Sequence, residues 1–151
     1  ALADVLRLRL RDVLREELSG TYGVSVYGGI ARAPDQEYSF GIGFSAAPDS
    51  LDSLVAEVFR QIESIQTAGP TADELAKVKE AMRRSRETTL EQNEFWLGRI
   101  AAAEIWAEDL GVELREDAAR VEALTRDDIA AAASRFLDFG NYVRVSLRPE
   151  G

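Results

Sequence analysis

Tyr38-Ser39-Phe40-Gly41-Ile42-Gly43-Phe44-Ser45 is the stretch that decides the fold. Tyr38, Phe40, Ile42 and Phe44 alternate with Ser39, Gly41, Gly43 and Ser45, and a period of two is the signature of a β-strand with two different faces. One face is aromatic and aliphatic; the other is built from very small residues. The small face either admits a helix or a substrate backbone at close range or is simply lightly covered. Upstream, Val24 and Val26 alternate with Ser25 and Tyr27 ahead of Gly28-Gly29. Ala33-Pro34-Asp35-Gln36-Glu37 joins the two runs, which predicts an antiparallel hairpin.

The segment before the hairpin reads two ways. Leu6, Leu8 and Leu10 alternate with Arg7, Arg9 and Arg11 as in a strand, while Leu6, Leu10, Val13, Leu14 and Leu18 share one helical stripe. Its length, the helix formers Glu16 and Glu17, and the stop at Ser19-Gly20 decide for a helix. After the hairpin, Pro48-Asp49-Ser50 stops the strand and caps a second helix. Leu51, Leu54, Val55, Val58, Phe59, Ile62 and Ile65 give it an almost complete apolar stripe, and Gly69-Pro70 ends it.

Thr71-Ala72-Asp73-Glu74 reads as a capping box for a helix carrying Leu75, Val78 and Met82. The polar stretch from Arg83 to Asn93 precedes a new apolar pattern at Phe95, Trp96, Ile100 and Ile105. This predicts one long helix to Gly111, or two separated near Glu91–Glu94. Val112 to Leu124 forms a short helix. Thr125-Arg126-Asp127-Asp128 caps another, with Leu124 stapled to Ile129. Val143, Val145 and Leu147 place one apolar face on a last strand, Tyr142 to Leu147, expected to pair in the hairpin's sheet. The fold class is α+β: an antiparallel sheet with helices packed on one face, in a single, partial domain over 1–151.

Composition removes several functions. The chain has 151 residues, 27 acidic and 18 basic, a net charge of -9, and neither histidine nor cysteine. Disulfides, thiolate zinc sites and cysteine nucleophiles are excluded, as are Ser-His-Asp triads, HExxH zinc sites and imidazole bases. Any metal would need carboxylates alone; Glu74 with Glu80, or Glu104 with Glu108, could be drawn as ligands, but solvated helix faces are the expectation, because a hard-cation site needs several converging oxygens. Asp35, Asp49 and Asp52 read as turn and cap residues, and Trp96 and Trp106 as core or interface aromatics. Gly20, Gly23, Gly28 and Gly29 form no dinucleotide-binding turn. The acidic balance argues against nucleic acid, and the basic runs Arg7–Arg9–Arg11 and Arg83–Arg84–Arg86 read as solvated helix faces. No apolar run approaches the ~20 residues of a membrane span. Opening at Ala1 directly in helical pattern, the sequence reads as an excerpt of a longer protein.

One constellation carries chemistry. In Leu14-Arg15-Glu16-Glu17-Leu18-Ser19-Gly20-Thr21-Tyr22-Gly23-Val24, an arginine near a helix end is followed by a tyrosine where a strand begins. Arginine is a permanent fork of N–H donors, and tyrosine offers an O–H from a rigid ring. Across a tight turn the pair suits a peptide carbonyl or a developing oxyanion without supplying base or nucleophile. The competing reading is a cation compensating the helix dipole and a tyrosine packed in the core.

With these residues in view, the chain resembles the C-terminal, non-zinc-binding domain of the pitrilysin/insulinase family of zinc peptidases, in its bacterial form. Leu14-Arg15-Glu16-Glu17-Leu18 followed by Gly20-Thr21-Tyr22-Gly23-Val24 looks like that family's motif. The strand Tyr38–Ser45, the helix after Pro48, Gly69-Pro70-Thr71 with Glu74-Leu75 and Lys77, and Leu124-Thr125 follow in the family's order. The resemblance implies a clamshell of homologous α+β half-units. Zinc is bound by a His-x-x-Glu-His motif in the N-terminal part, and the C-terminal part closes over a peptide substrate. It further implies that Arg15 and Tyr22 contact the peptide backbone and that Tyr22 supports the tetrahedral intermediate.

No metal ligand or catalytic base is expected in this chain. The zinc motif is absent, and the first strands of the half-unit are missing. The expectation is therefore a substrate-clamping piece of a peptide-degrading zinc endopeptidase, inert alone. Its expected partners are the N-terminal catalytic domain (in the same chain or a partner subunit) and peptide substrate, with zinc held in the N-terminal part of the parent. The alternatives are a structural subunit of the same fold, like those of processing peptidases and respiratory complexes, or a stand-alone peptide-binding module.

Overall fold

The computed structural model describes residues 1–17, 21 and 23–148, the side chains of 15–17 excepted. The chain runs α1 (Leu2–Arg11), continued by a π-helical turn (Asp12–Glu17), then β1 (Val24–Ala31), β2 (Glu37–Phe44), α2 (Leu51–Ala68), α3 (Ala72–Leu90), α4 (Asn93–Trp106), α5 (Leu110–Ala123) and α6 (Arg126–Phe136). The class is α+β, as expected. The break between α3 and α4 falls at Glu91 and Gln92, so the two-helix alternative holds.

β1 and β2 form an antiparallel hairpin in which Val26 faces Ile42 and Val24 faces Phe44. Residues paired across two strands share a face. Val24, Val26, Phe40, Ile42 and Phe44 therefore turn one face to the core. On the other face Tyr27 lies across Gly41, where an added Cβ would stand 2.1 Å from the ring. The small-residue face is thus partly filled from within the hairpin, by a cross-strand tyrosine.

The core joins the hairpin to four helices. Val5, Leu6, Leu10 and Leu14 come from α1 and its π-helical turn, Leu54, Val58, Ile62 and Ile65 from α2, Val78 from α3, and Ile129 and Ala133 from α6. Burying apolar side chains of this size stabilises by about 1.5–3 kcal/mol each relative to full exposure. α4 and α5 bury no residue completely and form an outer layer against α3. Leu97, Ile100 and Ile105 of α4 remain exposed.

The expected last strand is absent. Residues 142–148 pair with neither β1 nor β2, and Val143, Val145 and Leu147 are 89%, 81% and 96% exposed. An alternating pattern becomes a strand only where a sheet edge accepts its N–H and C=O groups. Here side chains hold the segment against α2 instead. Tyr142 and Phe139 stack edge-on with Phe59, and Arg144 pairs with Asp52. That ion pair draws the Asp52 carboxyl below its ordinary value, first by hydrogen bonding and then by charge.

Ser50 also departs from the expectation. It precedes α2 but makes no side-chain cap. Its backbone is already helical (φ -98°, ψ -10°), so the hydroxyl turns back to donate to the Ala47 carbonyl at 3.1 Å. The expected capping box of Thr71 with Glu74 is present, and the cap expected at Thr125 is also a box, with Asp128.

Gly69-Pro70-Thr71 is a junction of three helices. Gly69 ends α2 at φ 69°, ψ -175°, a region essentially reserved for glycine. An added Cβ would also stand 3.0 Å from the Arg126 carbonyl oxygen. Pro70 is fully buried. The Arg126 guanidinium donates to the Pro70 carbonyl and, at 3.0 Å, to that of Ala68, so the start of α6 caps the end of α2. Gly69→Ala is expected to destabilise the fold by about 1–3 kcal/mol through strain alone. The check is the urea midpoint, which falls at unchanged slope if the native state is otherwise intact.

Candidate functional site

The candidate site is the junction between the first helix and β1. Leu14 is fully buried and anchors the end of the helix in the core. Around it the helix widens into the π-helical turn Asp12–Glu17, which contains Arg15. Such turns are rare and occur mostly as single insertions in α-helices, frequently at functional sites. They had no signature in the sequence pattern, which reads as one continuous helix.

On the strand side, Thr21 is 9% exposed and its hydroxyl grips Gly23 twice. Thr21 Oγ1 accepts from the Gly23 amide at 3.2 Å and donates to the Gly23 carbonyl at 3.0 Å. β1 then begins at Val24, locked in register with β2. Arg7, one turn and more before the π-helical turn, donates to the Val26 carbonyl and ties α1 to β1. Both flanks of the motif are therefore fixed to the core. The Arg15 side chain and Tyr22 lie outside the described residues.

Among the described residues, no group of three or more Asp or Glu side chains is placed to hold a metal ion. With no histidine or cysteine in the sequence, the donor set does not fit zinc. Glu74, one of the carboxylates first read as solvated, is engaged otherwise. Its oxygens accept from Arg9 Nε at 2.7 Å, Arg9 Nη2 at 2.5 Å and the Thr71 amide at 2.7 Å. Burial pushes this carboxyl up, but the Arg9 hydrogen bonds, the Thr71 amide and the Arg9 charge outweigh it, and the net shift is downward. Arg9 is thus no part of a solvated face. Its helical position had the information: Arg9 falls three residues after Leu6 and four before Val13, on the apolar stripe.

Helix, hairpin and helix run in this order, with the wide turn ahead of β1 in a chain that has neither histidine nor cysteine. A family model described as the peptidase M16 inactive domain matches residues 1–82. The chain belongs to that family, and the pitrilysin-type resemblance read from the motif is thereby shown. It is 28% identical over 164 residues to a "Zinc protease PQQL-like" of Arabidopsis thaliana, a match covering 99% of this chain and 17% of that protein. The fold is shared with three solved structures. The periplasmic protease PqqL from Escherichia coli matches at TM-score 0.66 and 19% identity, over 90% of this chain and 15% of that one. A peptidase M16 inactive domain from Pseudomonas fluorescens matches at TM-score 0.69 and 20% identity, over 91% of this chain and 34% of that one. A protease from Helicobacter pylori matches at TM-score 0.69 and 15% identity, with the same coverages of 91% and 34%. The chain therefore spans only a small part of the curated relative's length.

Proposed function

We propose that this chain is the non-catalytic, substrate-clamping part of a larger zinc metalloendopeptidase that degrades peptides. In this reading the N-terminal domain, in the same chain or a partner subunit, holds the zinc that supplies the activated water. Arg15 orients the peptide through its carbonyls, and Tyr22 donates its O–H to the oxygen that gains charge as the scissile carbonyl becomes tetrahedral. The isolated chain hydrolyses nothing. The observation that carries this is the wide helical turn holding Arg15, which ends at Glu17 ahead of a strand whose first residue, Val24, packs against the core. It lies inside the stretch matched to the M16 inactive-domain family.

The test is peptide hydrolysis by the full-length protein. Arg15→Ala removes a charged donor from a peptide carbonyl, an interaction worth about 1.5–3 kcal/mol. KM is expected to rise about 10- to 100-fold while kcat changes little, as for binding that is equal in ground and transition states. Unchanged KM and kcat in a folded variant would assign Arg15 to the helix end alone. Full-length protein that cleaves no peptide would favour the structural-subunit reading.

A further inference from the structure

We propose that the groove between α1, α3 and α5 docks an acidic amphipathic helix of a partner protein. The two basic runs of the sequence lie on α1 and α3, which pack against each other. Arg9 turns to Glu74, but Arg7 and Arg11 from the first run and Arg86 from the second border one cavity of about 720 Å³. Leu8, Val78, Met82, Leu114 and Val121 give it an apolar lining. Lys77 and Arg120 complete the basic rim, and Asp4 and Asp117 are the acidic groups of the lining. The lining thus holds five cations and two acids on a chain whose net charge is -9, with Asp12, Asp73 and Glu116 paired to three of the cations from beside it.

The cations differ in how they are engaged. Arg7 pairs with Asp4 at 2.7 Å, Lys77 with Asp73 at 2.7 Å, Arg120 with Glu116 at 2.9 Å and Arg11 with Asp12 at 3.5 Å. These are exposed pairs, weak and readily exchanged for the carboxylates of an incoming chain, although Arg7 also stays tied to the Val26 carbonyl. Arg86 has no acidic partner among the described residues, and its Nη2 donates to the Leu114 carbonyl at 2.9 Å. A cation is therefore held beside an apolar floor by a neutral acceptor. The lining extends along α3 from Lys77 to Thr89, about 18 Å at the helical rise. That is roughly three turns, the footprint of a helix laid in a groove rather than of a compact small anion. The apolar stripe of such a helix would fill the floor, and flanking glutamates would meet the rim and fix its direction.

The probe is a fluorescein-labelled helical peptide of about 14 residues, with leucines on one stripe and glutamates flanking it. Anisotropy titrations on the full-length protein are expected to saturate and to weaken as salt rises. A peptide with lysine in place of glutamate should bind at least about tenfold more weakly, as should the original peptide to Arg86→Glu. Arg84→Glu, on α3 but away from the groove, should leave binding unchanged; far-UV circular dichroism confirms that each variant is folded. Equal binding of both peptides, or full binding by folded Arg86→Glu, would overturn the proposal. So would saturable binding of dodecanoate without binding of the peptide, which would assign the groove to a small anionic amphiphile. A concentration-dependent dimer abolished by Arg86→Glu would assign it to a second copy of the chain.

Discussion

Replacing Tyr22 by phenylalanine in the full-length protein is expected to lower kcat for peptide hydrolysis by about 10²–10³-fold, the cost of one lost oxyanion donor. The substitution removes only the O–H and keeps the ring. A donor that acts only as charge develops contributes nothing to ground-state binding. KM should therefore stay near its original value, with kcat and kcat/KM falling together. This separates Tyr22 from Arg15, whose loss should appear chiefly in KM. Steady-state kinetics with a fluorogenic peptide makes the distinction. Normal turnover in a folded Tyr22→Phe variant would leave the residue as a packed strand tyrosine and remove the transition-state part of the proposed function.

The second large effect is on stability. Glu74→Ala is expected to destabilise the fold by about 3–5 kcal/mol, because it strands the Arg9 guanidinium without its charge partner. Arg9 is only 9% exposed and Glu74 16%, so water screens little of the change. The same substitution removes half of the capping box that starts α3. Against a typical domain stability of about 5–15 kcal/mol, this is a large fraction. Arg9→Met should cost less, since the Glu74 carboxylate it leaves without a cation is the more exposed of the two partners and keeps its bond from the Thr71 amide. Urea midpoints order the two variants.

The pH dependence follows from the downward shift of Glu74. A carboxyl whose folded value lies below its unfolded one contributes fully above the ordinary glutamate range, about 4.3. That contribution fades as pH falls through the depressed folded value. Between neutral pH and acid, the gap in stability between the original chain and Glu74→Ala should therefore narrow, with the narrowing confined to pH below about 4.3. A gap that stays constant into that acid range would mean the carboxylate is not what holds Arg9.

Local patterns made much of the architecture legible. The period-two run at Tyr38–Phe44 marks a strand because side chains alternate across a pleat, whatever lies around it. The stripe from Leu54 to Ile65 marks a buried helix face for a similar reason. Thr71 with Glu74 and Thr125 with Asp128 announce helix starts because a cap is satisfied within four residues. Gly69 was readable as a helix end, although the contact that makes it irreplaceable is with Arg126, far along the chain. The Arg15–Tyr22 motif was legible as a pair of donors and, by resemblance, as a family mark. The π-helical turn beneath it was not, because a one-residue widening of a helix leaves the apolar spacing almost unchanged.

By itself, then, the sequence determined the chemistry open to this chain: no imidazole, no thiolate, and a pair of non-basic donors at a helix–strand junction. It also determined the class of fold, since both rest on residue identity and short-range spacing. Tertiary structure alone decided which charges are paired and which patterns are used. Arg9 reaches Glu74 across 65 positions, Arg86 meets α5 across 28, and Val143, Val145 and Leu147 find no strand among the described residues with which to pair. The reason is physical. A side chain's period reports the face it would bury, but whether another surface meets that face depends on packing between segments remote in sequence.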